Sequence, residues 1–190
     1  MRVNRKPRPS GVRIISGAWR GTRISVPAKS SARPTPDRVR ETLFNWLEGS
    51  LANANCLDLF AGSGILGLEA LSRGAAKVCF VERDRVQAES LTQQIAKLSA
   101  NAKVLCSDAE DFLADGLARR FDIVFLDAPY EMPLEPILQR LPTALTHDAL
   151  IYVERPARTG LPKSTQLEWK KTSRAAGVCY GLAAFLGQSA

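Results

Sequence analysis

Asp58 stands near the end of a short apolar run, residues 56–60, and Ala61-Gly62-Ser63-Gly64 follows directly. The run is too short for a helix and reads as a buried strand. The small residues allow a tight turn and let a ligand come close to the backbone. Ile65, Leu66, Leu68, Glu69, Ala70 and Leu71 then open a helix. Strand, glycine turn and helix make the front of a nucleotide-binding α/β unit, and Gly62-Ser63-Gly64-Ile65-Leu66-Gly67 matches G-x-G-x-x-G. Glu82 lies 20 residues beyond Gly62 at the end of the next apolar run, where an acid meets a ribose diol. The charge of Asp58 discriminates between ligands. A carboxylate beside the turn repels a pyrophosphate but suits a ligand that carries a sulfonium and an ammonium, as S-adenosylmethionine does. Glycine turns also serve plain strand–helix junctions, so the fingerprint alone leaves that alternative open.

D-x-F-x-G-x-G followed by an acid on the next strand resembles the first two motifs of Rossmann-like methyltransferases. Asp58, Phe60, Gly62 and Gly64 fall in the first motif, and Glu82 and Arg83 in the second. Asp108-Ala109 follows the third predicted strand, and strand C-termini line the ligand crevice of such sheets. In similar methyltransferases an acid here accepts from an adenine amino group; Asp108 can equally cap the next helix. The fourth strand ends in Asp127-Ala128-Pro129-Tyr130. This resembles the [D/N]-P-P-[Y/F/W] motif of methyltransferases that modify exocyclic amines of bases. An amine conjugated into a base is a poor nucleophile. The resemblance implies that the Asp127 carboxylate and the Ala128 carbonyl accept its two N–H bonds, orienting the nitrogen lone pair and favouring positive charge on nitrogen. Tyr130 then offers a face for a flipped-out base. Ala128 departs from the family's usual proline: the carbonyl survives, but a fixed φ is lost. A Pro-containing turn after a buried strand is the plainer alternative.

The bulk properties set limits. The 190 residues allow one domain with a modest extension. No apolar run approaches a membrane span, and the basic N-terminus has no apolar segment behind it, unlike a secretory signal. Cys56, Cys79, Cys106 and Cys179 form no C-x-x-C pair and are expected to be buried free thiols, so neither a disulfide nor a metal site is expected. The single histidine, His147, sits in a polar turn and reads as a surface residue. The net charge of +7 is unevenly spread. Residues 1–40 hold 11 Lys/Arg against Asp37 alone, residues 41–154 hold 9 basic and 17 acidic residues, and residues 155–190 hold 6 basic against Glu168. Basic ends on an acidic body suggest a polyanion held by the ends, with nucleic acid as the expected one; a solvated tail is the alternative, favoured for residues 1–9.

These groups need elements to position them. Residues 12–16 and 22–26 read as a small hairpin. Thr35 reads as an N-cap and Pro36 as the first residue of a helix whose apolar stripe is Val39, Leu43, Trp46 and Leu47. Arg38 and Arg40 fall in its first turn, where cations oppose the helix dipole by up to roughly 1 kcal/mol each. Either Asp37 and Glu41 compensate, or the arginines face phosphate. Strands at 56–60, 77–81, 103–106, 122–126 and 149–153 alternate with helices at 65–73, 85–99, 109–119 and 134–145, the pattern of a parallel sheet with helices on both faces. Runs 166–174 and 178–185 form a terminal antiparallel hairpin, which makes seven strands. A dehydrogenase needs a second mononucleotide half, for which the chain lacks length.

RIISGAWRG, RPTPDRVRETLFNWL, LDLFAGSG, FVERD and FLDAPY together resemble the RsmD-type 16S ribosomal RNA guanine-N2 methyltransferases over roughly residues 12–186. The R-P-T-x-D-R-V-R-E block is the most specific, because generic methyltransferases lack it. The resemblance implies a class I, Rossmann-like methyltransferase domain at 51–190 behind a basic RNA-docking extension at 1–50. It implies S-adenosylmethionine as donor and a guanine of small-subunit rRNA, on assembled or assembling subunits, as acceptor. It also implies a bacterial cytoplasmic enzyme, expected to act as a monomer without metal or membrane. Arg33, Arg38 and Arg40 are the candidate RNA contacts. The competing readings are an adenine-N6 methyltransferase, a ribosome-assembly factor that keeps the fold without the activity, and an NAD-dependent oxidoreductase.

Overall fold

The computed structural model describes residues 11–26, 35–115 and 120–186. A two-stranded hairpin, β1 (Gly11–Arg13) and β2 (Arg23–Ser25), precedes helix α1 (Asp37–Trp46). The remaining strands are β3 (Asn55–Asp58), β4 (Lys77–Glu82), β5 (Ala102–Cys106), β6 (Phe121–Leu126), β7 (Leu145–Pro156), β8 (Leu167–Ala175) and β9 (Val178–Phe185). Between them run α2 (Ile65–Ser72), α3 (Arg85–Lys97), α4 (Ala109–Ala114) and α5 (Glu135–Arg140). The seven strands are ordered β5-β4-β3-β6-β7-β9-β8. The first five are parallel, while β9 pairs antiparallel with both β7 and β8. The strand order reverses between β3 and β6, the place where such sheets open a crevice at their C-terminal edge.

Side chains alternate across the sheet with period two, and this splits the core. Cys56, Phe80, Phe125, Tyr152 and Tyr180 face α1, α2 and α3 on one side. Leu57, Val81, Val124, Leu126 and Val153 face α4 and α5 on the other. The hairpin and α1 share the first of these cores: Ile14, Ile24, Val39, Leu43 and Phe44 are all buried in it. Each such side chain gains roughly 1.5–3 kcal/mol by burial, so the stripe of α1 outweighs the dipole cost of its early arginines. Two glycines of the fingerprint serve packing. Gly64 caps α2 with φ 75°, and a Cβ there would collide with Leu91 of α3. A Cβ on Gly67 would enter the Phe80 ring, so its absence lets α2 lie directly on β4.

Several expected boundaries shift for identifiable reasons. The expected helix at 134–145 is α5 followed by a 3-10 turn, Leu141–Ala144, because Pro142 cannot donate to a continuing helix. β7 begins earlier than expected and meets β6 with a register irregularity between Phe121 and Ile123. α4 ends at Ala114, and residues 116–119 of the expected helix lie outside the described residues. Thr35 is not the N-cap of α1. Pro36 takes that position without a side-chain hydrogen bond, and the Thr35 hydroxyl turns elsewhere. Of the cysteines, Cys56, Cys79 and Cys179 are buried as expected, whereas Cys106 is exposed at the end of edge strand β5. His147 is exposed, with Nδ1 3.0 Å from Asp148 Oδ1.

Candidate active site

A cleft of about 860 Å³ opens at the C-terminal ends of the parallel strands. Phe60, Gly62, Glu82, Arg83, Asp108 and Ala109 line one part of it, and Asp127, Ala128, Pro129 and Tyr130 line another. Four motifs spread over 71 positions of chain therefore meet in one space, because β3, β4, β5 and β6 all end at the same edge. Two expected members are absent from its wall. Gly64 is buried under Leu91, and Asp58 is buried behind the glycine turn, where its Oδ2 accepts the Gly67 N–H at 3.1 Å.

Burial pushes the Asp58 carboxyl up to about 7, against the Gly67 hydrogen bond that favours its charge; the Asp127 and Glu82 carboxylates raise it further. Glu82 is held by the backbone. Its Oε2 accepts the Gly62 N–H at 2.7 Å and its Oε1 the Asp84 N–H at 2.8 Å. One side chain thus ties the glycine turn to the end of β4, and each oxygen keeps a further lone pair while the residue lines the cleft. Asp108 caps α4, accepting the Glu110 N–H at 2.8 Å, as the capping alternative anticipates, while it lines the cleft. Three acids, an open glycine turn and an aromatic wall suit a cationic nucleoside better than a polyphosphate.

At the end of β6, partly buried Asp127 receives the Thr35 hydroxyl on Oδ2 at 3.0 Å. Burial pushes its carboxyl up to about 6, opposed by that hydrogen bond and by the Arg155 charge. Arg155 organises the loop beyond. Its guanidinium donates to the carbonyls of Pro129 at 3.2 Å, Tyr130 at 2.7 Å and Met132 at 3.0 Å. Three charge-assisted bonds on four residues of backbone restrain the loop whose φ Ala128 leaves unfixed. Tyr130 is 45% exposed at the cleft.

The arginines divide. Arg33 lies outside the described residues. Arg38 is exposed on the first turn of α1, two residues from Pro36 at the cleft wall. Arg40 is fully buried and corrects the expectation of an RNA contact. It bonds Asp37 Oδ1 at 2.6 Å, Glu69 Oε2 at 3.1 Å and the carbonyls of Arg13 and Thr35 at 3.0 and 3.3 Å. Glu69, buried on α2, also accepts from the Ile15 N–H at 2.8 Å, the Ser16 N–H at 3.0 Å and Arg73 Nε at 2.8 Å. For Arg40 the compensating alternative holds, with Asp37 as expected and Glu69 in place of Glu41; Arg38 is exposed to solvent.

Sequence reasoning missed Thr35, Pro36, Glu154 and Arg155. Glu154 follows an apolar run at 149–153 as Glu82 follows one at 78–81, so the same signal of an acid at a strand end marks it. Thr35 and Arg155 carry no such signal, because their partners are loop atoms remote in sequence. Among the described residues no His/Cys/Asp/Glu group is arranged to hold a metal ion, and no helix is long and apolar enough to cross a membrane.

Residues 12–181 match the profile of a family described as Conserved hypothetical protein 95. The chain is 48% identical over 165 residues to Ribosomal RNA small subunit methyltransferase D of Escherichia coli (strain K12), covering 83% of each. It is 46% identical over 150 residues to the protein of that name from Haemophilus influenzae, covering 75% of this chain and 78% of the relative. Among solved structures, a putative methyltransferase, yhhF, from Escherichia coli superposes with TM-score 0.84 at 42% identity, over 94% of this chain and 100% of that one. With the fold, the glycine turn and the Asp127 loop in place, the chain belongs to this family, the RsmD-type methyltransferases.

Proposed function

We propose that this chain transfers a methyl group from S-adenosylmethionine to the exocyclic N2 amine of a guanine in 16S ribosomal RNA, on the assembled or assembling small subunit. The observation that carries the reading is the meeting of the acidic glycine-turn wall and the Asp127–Tyr130 loop in one cleft. The donor, when bound, supplies an electrophilic methyl on a sulfonium. Its expected partners are Glu82 at the ribose hydroxyls, Asp108 and Ala109 at the adenine, and Phe60, Gly62 and Arg83 along the wall. Asp58 contributes charge from behind the turn: a nearby cation favours its ionised form. Asp127 and the Ala128 carbonyl accept the N–H bonds of the target amine, and Tyr130 stacks the base. The test is incubation with labelled S-adenosylmethionine and naked rRNA, small subunits or DNA, followed by mapping of the labelled nucleotide. Label on guanine N2 of 16S rRNA supports the reading. Label on adenine N6 replaces it with the competing amine methyltransferase, and no label on any substrate leaves a binding factor.

Two further results are expected. Glu82→Ala removes charge-assisted hydrogen bonds worth roughly 1.5–3 kcal/mol, weakening S-adenosylmethionine binding about ten- to a hundredfold. Glu82→Gln keeps one acceptor oxygen and loses less. Equal calorimetric affinities for all three folded proteins would take Glu82 out of the cofactor site. For the basic extension, affinity for the RNA falls steeply with salt. Neutralising Arg33 and Arg38 together should flatten that log–log slope by about one to two while leaving cofactor affinity alone. An unchanged slope in the double variant would mean that neither side chain meets phosphate.

A further inference from the structure

Methylation of an amine leaves the nitrogen with one proton too many. As the N–C bond forms, the donor's C–S bond breaks and its electron pair stays on sulfur, so one N–H proton must depart. Asp127 orients the amine in the reading above, but nothing so far takes this proton.

One buried acid at the cleft has been given no role. Glu154 is 2% exposed, lines the cleft and belongs to β7. The parallel register pairs Leu126 with Val153, so the next residues of the two strands, Asp127 and Glu154, stand side by side. Tyr152, two residues earlier and on the same strand face, donates its hydroxyl to Glu154 Oε2 at 2.7 Å. Across the antiparallel pair Glu154 faces Tyr180, with Cys179 beside it on β9. Arg155 is adjacent but spends its donors on the carbonyls of the Asp127 loop. Among the described residues, Asp127, Tyr152, Tyr180, Cys179, Arg155 and, at one remove, Arg174 are the titratable or charged groups around this carboxyl.

We propose that Glu154, paired with Asp127 and hydrogen-bonded by Tyr152, accepts the proton that the target amine sheds on methylation. The proposal rests on the amine-methyltransferase reading above. Two carboxyls side by side, one just past the end of β6 and one within β7, do not ionise together easily. Burial first, then the Asp127 charge, pushes Glu154 up to about 8, against the Tyr152 hydrogen bond. Below that value the pair holds one proton, on Glu154, and Asp127 keeps the negative charge. The ionised form of Glu154 grows toward alkaline pH; it takes up the proton that the amine sheds and becomes the neutral acid, while Asp127 stays charged and orients the amine.

The test compares pH profiles of single-turnover methylation from about pH 5 to about pH 9 for wild type and three variants. Glu154→Gln should lower the rate about a hundredfold and abolish the alkaline rise near the Glu154 value. Asp127→Asn removes the neighbouring charge that raises Glu154 and should move the rise to lower pH; Tyr152→Phe removes the bond that lowers it and should move the rise to higher pH. A Glu154 that only packs would give none of these shifts. Wild-type rate and profile in Glu154→Gln would overturn the proposal, with the proton leaving directly to water. If Glu154→Gln does not fold, the opposite shifts of the other two variants decide, and two unmoved profiles overturn it.

A second readout needs no substrate. A carboxyl raised on folding contributes stability that is present below its unfolded value and is lost as pH rises through the folded one. Glu154→Gln should therefore unfold at a higher temperature than wild type near pH 9, with the gap closing toward pH 5, on the order of the Glu reference value. Failure of the parent reading would look different: label would map to an atom other than an amine, or to none, while this pH-dependent stability gap remained.

Discussion

Asp127→Ala should lower the rate of methyl transfer by roughly 10²–10³-fold, the range for losing one preorganised electrostatic contact in a closed site. The side chain stands at the end of β6 in the cleft, and Thr35 holds its Oδ2 at 3.0 Å. With that oxygen fixed, Oδ1 retains lone pairs for an amine N–H, and the carboxylate cannot swing away from its place. Asp127→Asn should keep part of the activity, because an amide oxygen still accepts a hydrogen bond while an amide cannot take a proton. Single-turnover rates of the two folded variants separate orientation from proton abstraction. If Asn is as inactive as Ala, Asp127 is itself the base and the orientation role is wrong. If both retain full rate, the loop is only a turn and the chemistry lies elsewhere.

Glu69→Ala should destabilise the fold by about 3–5 kcal/mol, the cost of leaving a buried charge without its partner. Glu69 accepts from Arg40, Arg73 and the N–H groups of Ile15 and Ser16. Its loss strands fully buried Arg40 with Asp37 as its remaining carboxylate. Urea unfolding followed by far-UV and fluorescence signals gives the change as a shift in midpoint at constant slope. The contrast within one helical turn sharpens the test: Arg38→Ala, at an exposed position, should stay within about 0.5 kcal/mol of wild type. A loss below about 1 kcal/mol for Glu69→Ala would mean that Arg40 finds water or another acceptor when the knot is cut.

The two arginines show what a sequence carries and what it conceals. Both sit in the first four residues of α1 and both oppose its dipole. Arg40 shares the helix face of buried Leu43 and Phe44, but what receives its charge there, Glu69 29 residues away on α2 and the Arg13 carbonyl, is remote in sequence. The strand–helix alternation, the seven strands and the two faces of the sheet were legible because period-two and helical patterns are local. Glu82, Asp108 and the Asp127 loop were legible because strand ends converge on one edge whatever the side chains are. Asp58 and Gly64 were legible as motif members, but their places behind the cleft wall depend on how α2 and α3 pack, through Gly67 on Phe80 and Gly64 on Leu91. Thr35 illustrates the same limit. Its sequence context reads as a cap, yet a partner 92 residues away takes the hydroxyl.

The placement of β9 between β7 and β8 bears on how the protein is made. Synthesis runs from the N-terminus at roughly 5–20 residues per second. β8 is therefore translated before the strand that gives it its neighbour in the sheet. Until β9 arrives, β7 is an open edge that carries Leu150, Ile151, Tyr152 and Val153, an apolar template for pairing with another chain. The turn that brings Ala176, Gly177 and Val178 to the cleft also forms only with that hairpin. A nascent chain halted between these strands would be both unable to complete its cleft and prone to stick to its neighbours, so arrest there is expected to yield aggregates rather than a smaller working enzyme.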